Sequence, residues 1–115
     1  MTLKKKYHCP VEAAIDLIGG KWKPLILWAL RDGTLRFSQI ESELHGITQK
    51  MLTKQLRELE QDGLVARKVY AQVPPKVEYT LTPTGVSLIP VLDMLCEWGS
   101  EHMGSMIEFA CNGKQ

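Results

Sequence analysis

The sequence predicts one mainly α-helical domain that carries a small two-stranded antiparallel sheet. A chain of 115 residues fits a single domain, which we place at residues 1–115. Apolar residues recur at helical spacing over most of this length, whereas two stretches within residues 64–82 alternate apolar and polar residues. Glycine and proline separate these stretches, where helices and strands are expected to end.

The first two helices should lie between Cys9 and Gly33. Pro10 is suited to the first position of a helix that the pair Gly19-Gly20 should end. A second helix begins near Trp22 and continues through PLILWAL. Because this stretch is apolar on nearly every side, we expect a buried central helix.

The next two helices should form a helix-turn-helix at about residues 38–62. Ser38 and Glu41 have the spacing of a capping box, and Gly46 should end the short helix that they begin. Thr48 is suited to cap a longer helix. A short helix, a turn that contains glycine and a longer helix are typical of this motif.

The longer helix, Thr48 to Asp62, carries two stripes on different faces. The leucines repeat at helical spacing and should face the core. The bases repeat at the same spacing on another face. The bases lie in the N-terminal half and the acids, from Glu58 onward, in the C-terminal half, an order that opposes the helix dipole. This order favours an external partner, with a solvated face as the alternative. The two stripes are Leu52, Leu56 and Leu59, and Lys50, Lys54 and Arg57.

The alternating stretches VARKVY and KVEYTL should form a hairpin, the wing, at about residues 64–82. The prolines of AQVPP belong at its loop tip, because proline cannot donate a hydrogen bond within a sheet. A final helix at about residues 83–105 should begin at Pro83 and bend at Pro90.

The final helix presents more apolar surface than a small monomer readily covers. Exposed patches of this kind mark interfaces, so we expect the N- and C-terminal helices to form a two-fold dimer interface. Its predicted residues are Leu88, Val91, Leu92, Leu95 and Trp98.

The charge is divided between the two ends of the chain. Residues 1–82 hold 13 of the 14 Lys and Arg and 9 acids, a net charge of +4, whereas residues 83–115 have a net charge of −3. A cationic body with an acidic, apolar end suits a protein that binds a polyanion with one part and itself with the other.

Several classes of protein do not fit the sequence. No apolar run approaches the roughly 20 residues of a membrane helix, and the start lacks the hydrophobic region of a signal peptide, so we expect a cytoplasmic protein without a membrane partner. The cysteines and histidines are scattered, and no phosphate loop or nucleophile spacing occurs. We therefore expect no metal, no cofactor and no enzymatic activity. The scattered residues are Cys9, Cys96, Cys111, His8, His45 and His102.

Five long blocks resemble the HxlR-type winged helix-turn-helix regulators of bacteria, a branch of the MarR-like group. They are CPVEAAIDLIGGKWKPLIL, LRFSQIE, ITQKMLTKQLRELEQDGLVARKVY, VPPKVEYTLTPTG and LDMLCEWG. The resemblance spans nearly the whole chain and implies a homodimer that binds double-stranded DNA at a palindromic operator. It places the Thr48–Asp62 helix in the major groove and the Val65–Leu81 hairpin beside the phosphates. It also places Cys9 where some members have an oxidant-sensing cysteine.

The DNA-binding residues follow from the usual docking of a helix-turn-helix, whose second helix reads bases with its N-terminal residues. Gln49 suits adenine and Lys50 guanine, and the other polar residues suit phosphates. For Ser38 a purely capping role is an equal alternative. Strand alternation allows only one of Arg67 and Lys68 to face the backbone. The predicted set is Arg36, Ser38, Thr48, Gln49, Lys50, Thr53, Lys54, Arg57, Arg67 and Lys76.

Cys9 precedes a helix N-terminus, where free N–H groups and the nearby Lys4 to Lys6 favour a thiolate. A small structural residue buried at the base of the dimer is the alternative. If Cys9 is oxidised, Cys111 of the partner is better suited to capture it than helix-bound Cys96. Two other functions remain open: a winged-helix module that binds proteins without DNA, and a small thiol enzyme. The sequence identifies no small-molecule inducer.

Overall fold

The computed structural model describes residues 6–108, which form a mostly helical domain with a three-stranded antiparallel sheet. The mainly helical winged fold is confirmed, but the sheet has one strand more than predicted. The elements are α1 (Pro10–Ile18), α2 (Trp22–Ala29), β1 (Leu35–Arg36), α3 (Phe37–Glu43), α4 (Gln49–Gln61), β2 (Val65–Tyr70), β3 (Lys76–Leu81), α5 (Pro83–Ser87), α6 (Ile89–Met103) and a 3₁₀ turn (Gly104–Met106).

The core lies between α2, α3 and α4. The leucine stripe of α4 is at most 1 % exposed, as its helical spacing predicted. Helix α2 contributes Ile26 and Leu27, both fully buried, and α3 contributes Ile40. Burial of each such side chain contributes about 1.5–3 kcal/mol, so the core anchors α4 along its length.

The ends of α4 are those that the sequence predicted. The Thr48 hydroxyl accepts a hydrogen bond from the Met51 N–H at 3.1 Å. At the other end Gly63 has a φ of +77°, which glycine adopts without strain, and the Leu64 N–H donates to the Leu59 carbonyl at 2.9 Å. Both ends of α4 are therefore fixed by local hydrogen bonds.

The predicted start of α3 is wrong. Arg36 is the N-cap residue, and its N–H donates to Gln39 Oε1 at 2.8 Å, so Ser38 and Glu41 form no capping box. The cause is β1, which holds Arg36 in an extended conformation, from which the chain enters the helix at Phe37. The helix also ends at Glu43, three residues before Gly46.

The sheet has the strand order β1-β3-β2. The hairpin of β2 and β3 is confirmed, but the two-residue strand β1 was not predicted. The register pairs Glu78 with Arg36 on one side and Lys68 on the other. Since Tyr79, the next residue, is buried, the three charged residues lie on the outer face.

The single helix predicted for residues 83–105 is divided into α5 and α6 at Leu88. Pro90 therefore lies in the first turn of α6, where its missing N–H costs nothing, and it bends no helix. The Thr82 hydroxyl caps α5 by accepting a hydrogen bond from the Gly85 N–H at 3.1 Å. Gly85 packs directly on the Leu64 carbonyl, where a side chain has no room.

Helix α1 begins at Pro10 after Cys9, as predicted. It has no fully buried residue, although Leu17 and Ile18 pack on the edge of the core. The Tyr7 hydroxyl fixes the preceding segment by donating to Asp16 Oδ2 at 2.8 Å. Between residues 6 and 108 no helix combines the length and apolarity needed to cross a membrane.

Candidate nucleic-acid interface

The polar face of α4 forms a shallow surface groove, which we call the α4 groove. The bases that the sequence singled out lie together along it, on the side of the helix opposite the buried leucines. Thr48 lies at its N-terminal end with its hydroxyl engaged in the cap. The residues that line the α4 groove are Gln49, Lys50, Thr53, Lys54, Arg57, Glu58 and Gln61.

Glu58, the first acid of the C-terminal half of α4, lines the α4 groove beside Arg57. Its carboxylate lies 2.7 Å from the ammonium of Lys23 on α2. Lys23 is 3 % exposed and Glu58 18 %, so the pair joins the core to the groove. The hydrogen bond from Lys23 lowers the pKa of Glu58, although partial burial opposes the shift.

The outer face of the wing carries a second group of charges around Glu78. The carboxylate lies 3.3 Å from the Lys76 ammonium. The hydrogen bond from the Tyr70 hydroxyl is the main cause that lowers the pKa of Glu78, and Lys76 and Arg36 lower it further. The ammonium groups of Lys68 and Lys76 also lie 4.9 and 5.1 Å from the centre of the Tyr70 ring. We refer to Arg36, Lys68, Tyr70, Lys76 and Glu78 as the wing outer face.

The structure does not place all predicted wing residues together. Arg67 pairs with Tyr79 and lies on the other side of the sheet from Arg36 and Lys76. Lys68, the alternative to Arg67 on this strand, shares their face. Lys76 and Glu78 are two residues apart on β3 and so share a face, and the hairpin register places Lys68 opposite Glu78. This pattern is the signal that could have identified Lys68. Ser38 is exposed in the first turn of α3, close in sequence to Arg36.

The predicted interface residues of the last helix separate into two groups. Leu92 is 6 % exposed and belongs to the core of the single chain, and Leu88 packs against that core. Val91, Leu95 and Trp98 are exposed, together with Met94. We call these four residues the α6 stripe. The large apolar residues exposed on α1 are Val11 and Ile15.

Cys9 is a free thiol on the surface of the single chain. Next to it, the His8 N–H donates to the Glu12 carboxylate at 2.8 Å. Cys96 is half-buried on α6, and Cys111 lies outside the described residues. Among residues 6–108 no three side chains of the metal-binding types are grouped to hold an ion.

Residues 17–106 match the sequence model of a family described as HxlR-like helix-turn-helix. A helix-turn-helix transcriptional regulator of Methanothermobacter thermautotrophicus is 60% identical over 97 residues, which are 84% of this chain and 74% of the relative. The redox regulator HypR in its oxidised form is 52% identical, with a TM-score of 0.78 over 82% of this chain and 97% of HypR. A MarR-family regulator from Porphyromonas gingivalis has a TM-score of 0.81 at 34% identity, over 88% of this chain and 99% of its own.

Proposed function

We propose that this chain, which belongs to the HxlR-like helix-turn-helix family of transcriptional regulators, binds operator DNA as a homodimer through the α4 groove. The observation that carries the proposal is the arrangement of α4. Its leucines are fully buried, so its orientation is fixed, and its basic N-terminal half is left exposed in a groove. A recognition helix needs this combination of a rigid attachment and a free polar face.

The chemistry of the groove suits the major groove of DNA. Gln49 and Lys50 lie in the first turn of α4, where side chains of a recognition helix contact base edges, and Gln pairs with adenine and Lys with guanine. Thr48, Thr53, Lys54 and Arg57 would bind phosphates, which position the protein without reading sequence.

The wing outer face would extend the contact to the adjacent backbone. Arg36 and Lys68 lie on either side of Glu78, and Lys76 is paired with that carboxylate. We therefore assign the wing contact to Arg36 and Lys68 before Lys76. Arg67, on the other side of the sheet, and Ser38 remain candidates from the sequence.

The dimer would form through the α6 stripe and the exposed residues of α1. A two-fold axis then presents two α4 helices to one face of the duplex, which requires a pseudo-palindromic operator. Its half-sites should lie about 10 base pairs apart or a multiple of that distance.

The test is fluorescence anisotropy with a duplex taken from the DNA beside the gene of this chain. Binding should weaken steeply between about 50 and 200 mM salt, because bound lysines and arginines release counterions. A variant with Lys50→Ala and Lys54→Ala should lose most of the affinity, whereas Lys21→Ala, outside the α4 groove, should not. A protein that binds no duplex at low salt would instead be a protein-binding module.

Cys9 supports a second element of the proposal, a response to oxidants or electrophiles. The thiol is exposed at the N-cap of α1, and the similar HypR is described in an oxidised and a reduced form. Oxidation of a thiolate gives a sulfenic acid that a second thiol converts to a disulfide. A cross-link from α1 to the partner would change the spacing of the two α4 helices and with it the operator affinity.

Iodoacetamide titration across pH and non-reducing electrophoresis after diamide would test this response. Wild type should alkylate at Cys9 faster than a free thiol and form a cross-linked dimer with altered operator binding. Cys9→Ser should do neither. Operator binding that is indifferent to diamide in wild type would leave Cys9 without a sensing role and the DNA-binding proposal intact.

A further inference from the structure

A buried lysine lies directly behind the α4 groove. Lys23 belongs to the apolar helix α2, and its ammonium lies 2.7 Å from the Glu58 carboxylate on α4. The lysine is almost fully buried, whereas Glu58 reaches the surface of the groove. The ion pair therefore connects the interior of the domain with the face that would meet DNA.

A carboxylate in this position opposes the proposed function. DNA carries one negative charge per about 1.7 Å of helix axis, so an unpaired Glu58 would repel the phosphates. Glu58 also lies one helical turn after Lys54, the spacing at which opposite charges attract each other on a helix, and the Lys54 charge acts on it. An unpaired Glu58 would thus draw Lys54 away from the backbone.

We infer that Lys23 is a positioning residue for DNA binding, which neutralises Glu58 from behind and leaves Lys54 and Arg57 available to phosphates. Lys23 itself touches no DNA, because it is buried beneath α4. The inference rests on the proposed function of the α4 groove. It assigns an effect on affinity to a residue outside the predicted contacts.

Stability alone is a weak explanation for the pair. Removing two charges from water costs free energy that offsets their attraction, and apolar residues of similar size hold two helices together as well. Removing either partner alone should destabilise the fold, since a charge remains buried without its partner. The two possible roles of Lys23 can therefore be separated only by their effect on DNA.

Two single variants test the inference, because both should lower the stability of the fold whereas they should change the affinity for DNA in opposite directions. Lys23→Met and Glu58→Gln should both lower the urea midpoint of unfolding. On a mixed-sequence duplex of about 30 base pairs at low salt, Lys23→Met should bind roughly three- to tenfold more weakly than wild type. Glu58→Gln should bind about two- to fivefold more tightly, since it removes a negative charge that faces phosphate.

Matched controls remove the effect of net charge. Lys21→Met deletes a charge from an exposed lysine above the Trp22 ring, and Glu60→Gln deletes one from an exposed acid of α4 outside the groove. Each should change affinity by less than about twofold. The double variant Lys23→Met with Glu58→Leu replaces the pair by apolar side chains, and it should bind at least as tightly as wild type.

The double variant still tests the inference if Lys23→Met alone does not fold. Equal shifts in the same direction for Lys23→Met and Glu58→Gln would overturn the inference, as would a double variant that binds as weakly as Lys23→Met. These outcomes leave the proposed function in place as long as wild type binds the duplex. Wild type that does not bind it would overturn both.

Discussion

The helices α4 and α6 differ in what covers their apolar side chains. The leucine stripe of α4 is at most 1 % exposed, whereas the residues of the α6 stripe are 49 to 71 % exposed. Yet α6 also contributes Leu92 to the same core. The single chain thus completes the packing of α4 and leaves one face of α6 without a cover among residues 6–108.

This difference indicates that the exposed faces of the two helices suit different partners. The free face of α4 is polar and basic, which suits a polyanion. The free face of α6 is apolar and large, which suits a second copy of the chain. In each helix the exposed face is the one that does not pack against the core. Substitutions on the two exposed faces should therefore weaken different properties, DNA affinity for α4 and dimer assembly for α6.

The largest effect should come from the buried leucines. Leu56→Ala leaves a cavity beneath α4 and should cost about 2–5 kcal/mol of the free energy of unfolding. Leu95→Ala removes an exposed side chain and should cost the isolated subunit less than about 0.5 kcal/mol. Urea unfolding at several protein concentrations measures both, because only a loss at a subunit interface depends on concentration. Similar losses that are independent of concentration would remove the difference between the helices.

The next effect concerns assembly. Leu95→Glu places a charge in the α6 stripe and should raise the dimer dissociation constant by roughly 100-fold, about 2.7 kcal/mol. The control is Val86→Glu, which adds the same charge to an exposed valine of α5 outside the stripe. Sedimentation velocity distinguishes the two. A wild type that sediments as a monomer at micromolar concentration would refute the assigned partner of α6.

A smaller effect should distinguish phosphate contacts from base contacts within the α4 groove. Lys54→Ala should weaken binding to all duplexes alike, by about 1 kcal/mol, and reduce the salt slope by about one. Gln49→Ala should relax the preference at one base pair, at a cost of about 1–3 kcal/mol on the preferred sequence only. Competition between operator and mixed-sequence duplexes separates them. If neither substitution changes affinity or specificity, the basic face of α4 is only a solvated surface.

Most of the fold could be predicted from sequence because its signals are local. The leucine spacing, the Thr48 cap and the Gly63 end of α4 each involve residues within one or two turns. The missed strand β1 has two residues and forms only by pairing with Tyr79 and Glu78, far along the chain. A pairing of this length leaves no periodic pattern to read.

The site was harder to predict, for the same reason. The basic residues of α4 could be read from helical spacing, but the role of Glu58 depends on Lys23, which lies on another helix. The one local sign of this ion pair is the position of Lys23 within the apolar stretch WKPLIL. Likewise Arg67 was chosen over Lys68, and only the register with Glu78 separates their faces.

The smallest effect should be the pH dependence of the stability that the Lys23–Glu58 ion pair contributes. The hydrogen bond from Lys23 lowers the pKa of Glu58 below its ordinary value of 4.5, so folding favours the charged carboxylate. Its stabilisation is present above that value and is lost as the pH falls through the lowered pKa. The stability difference between wild type and Glu58→Gln in urea unfolding should therefore be present at pH 7 and shrink as the pH falls below 4.5.

The difference between the two proteins isolates Glu58, because Glu78 also has a lowered pKa and contributes to the acid response of both. The matched comparison on α6 is Leu95→Ala, whose difference from wild type should not follow the titration of Glu58, since leucine has no ionisable group. A wild-type advantage over Glu58→Gln that persists unchanged to pH 3 would mean that packing, and not the charge on Glu58, attaches this side of α4 to α2.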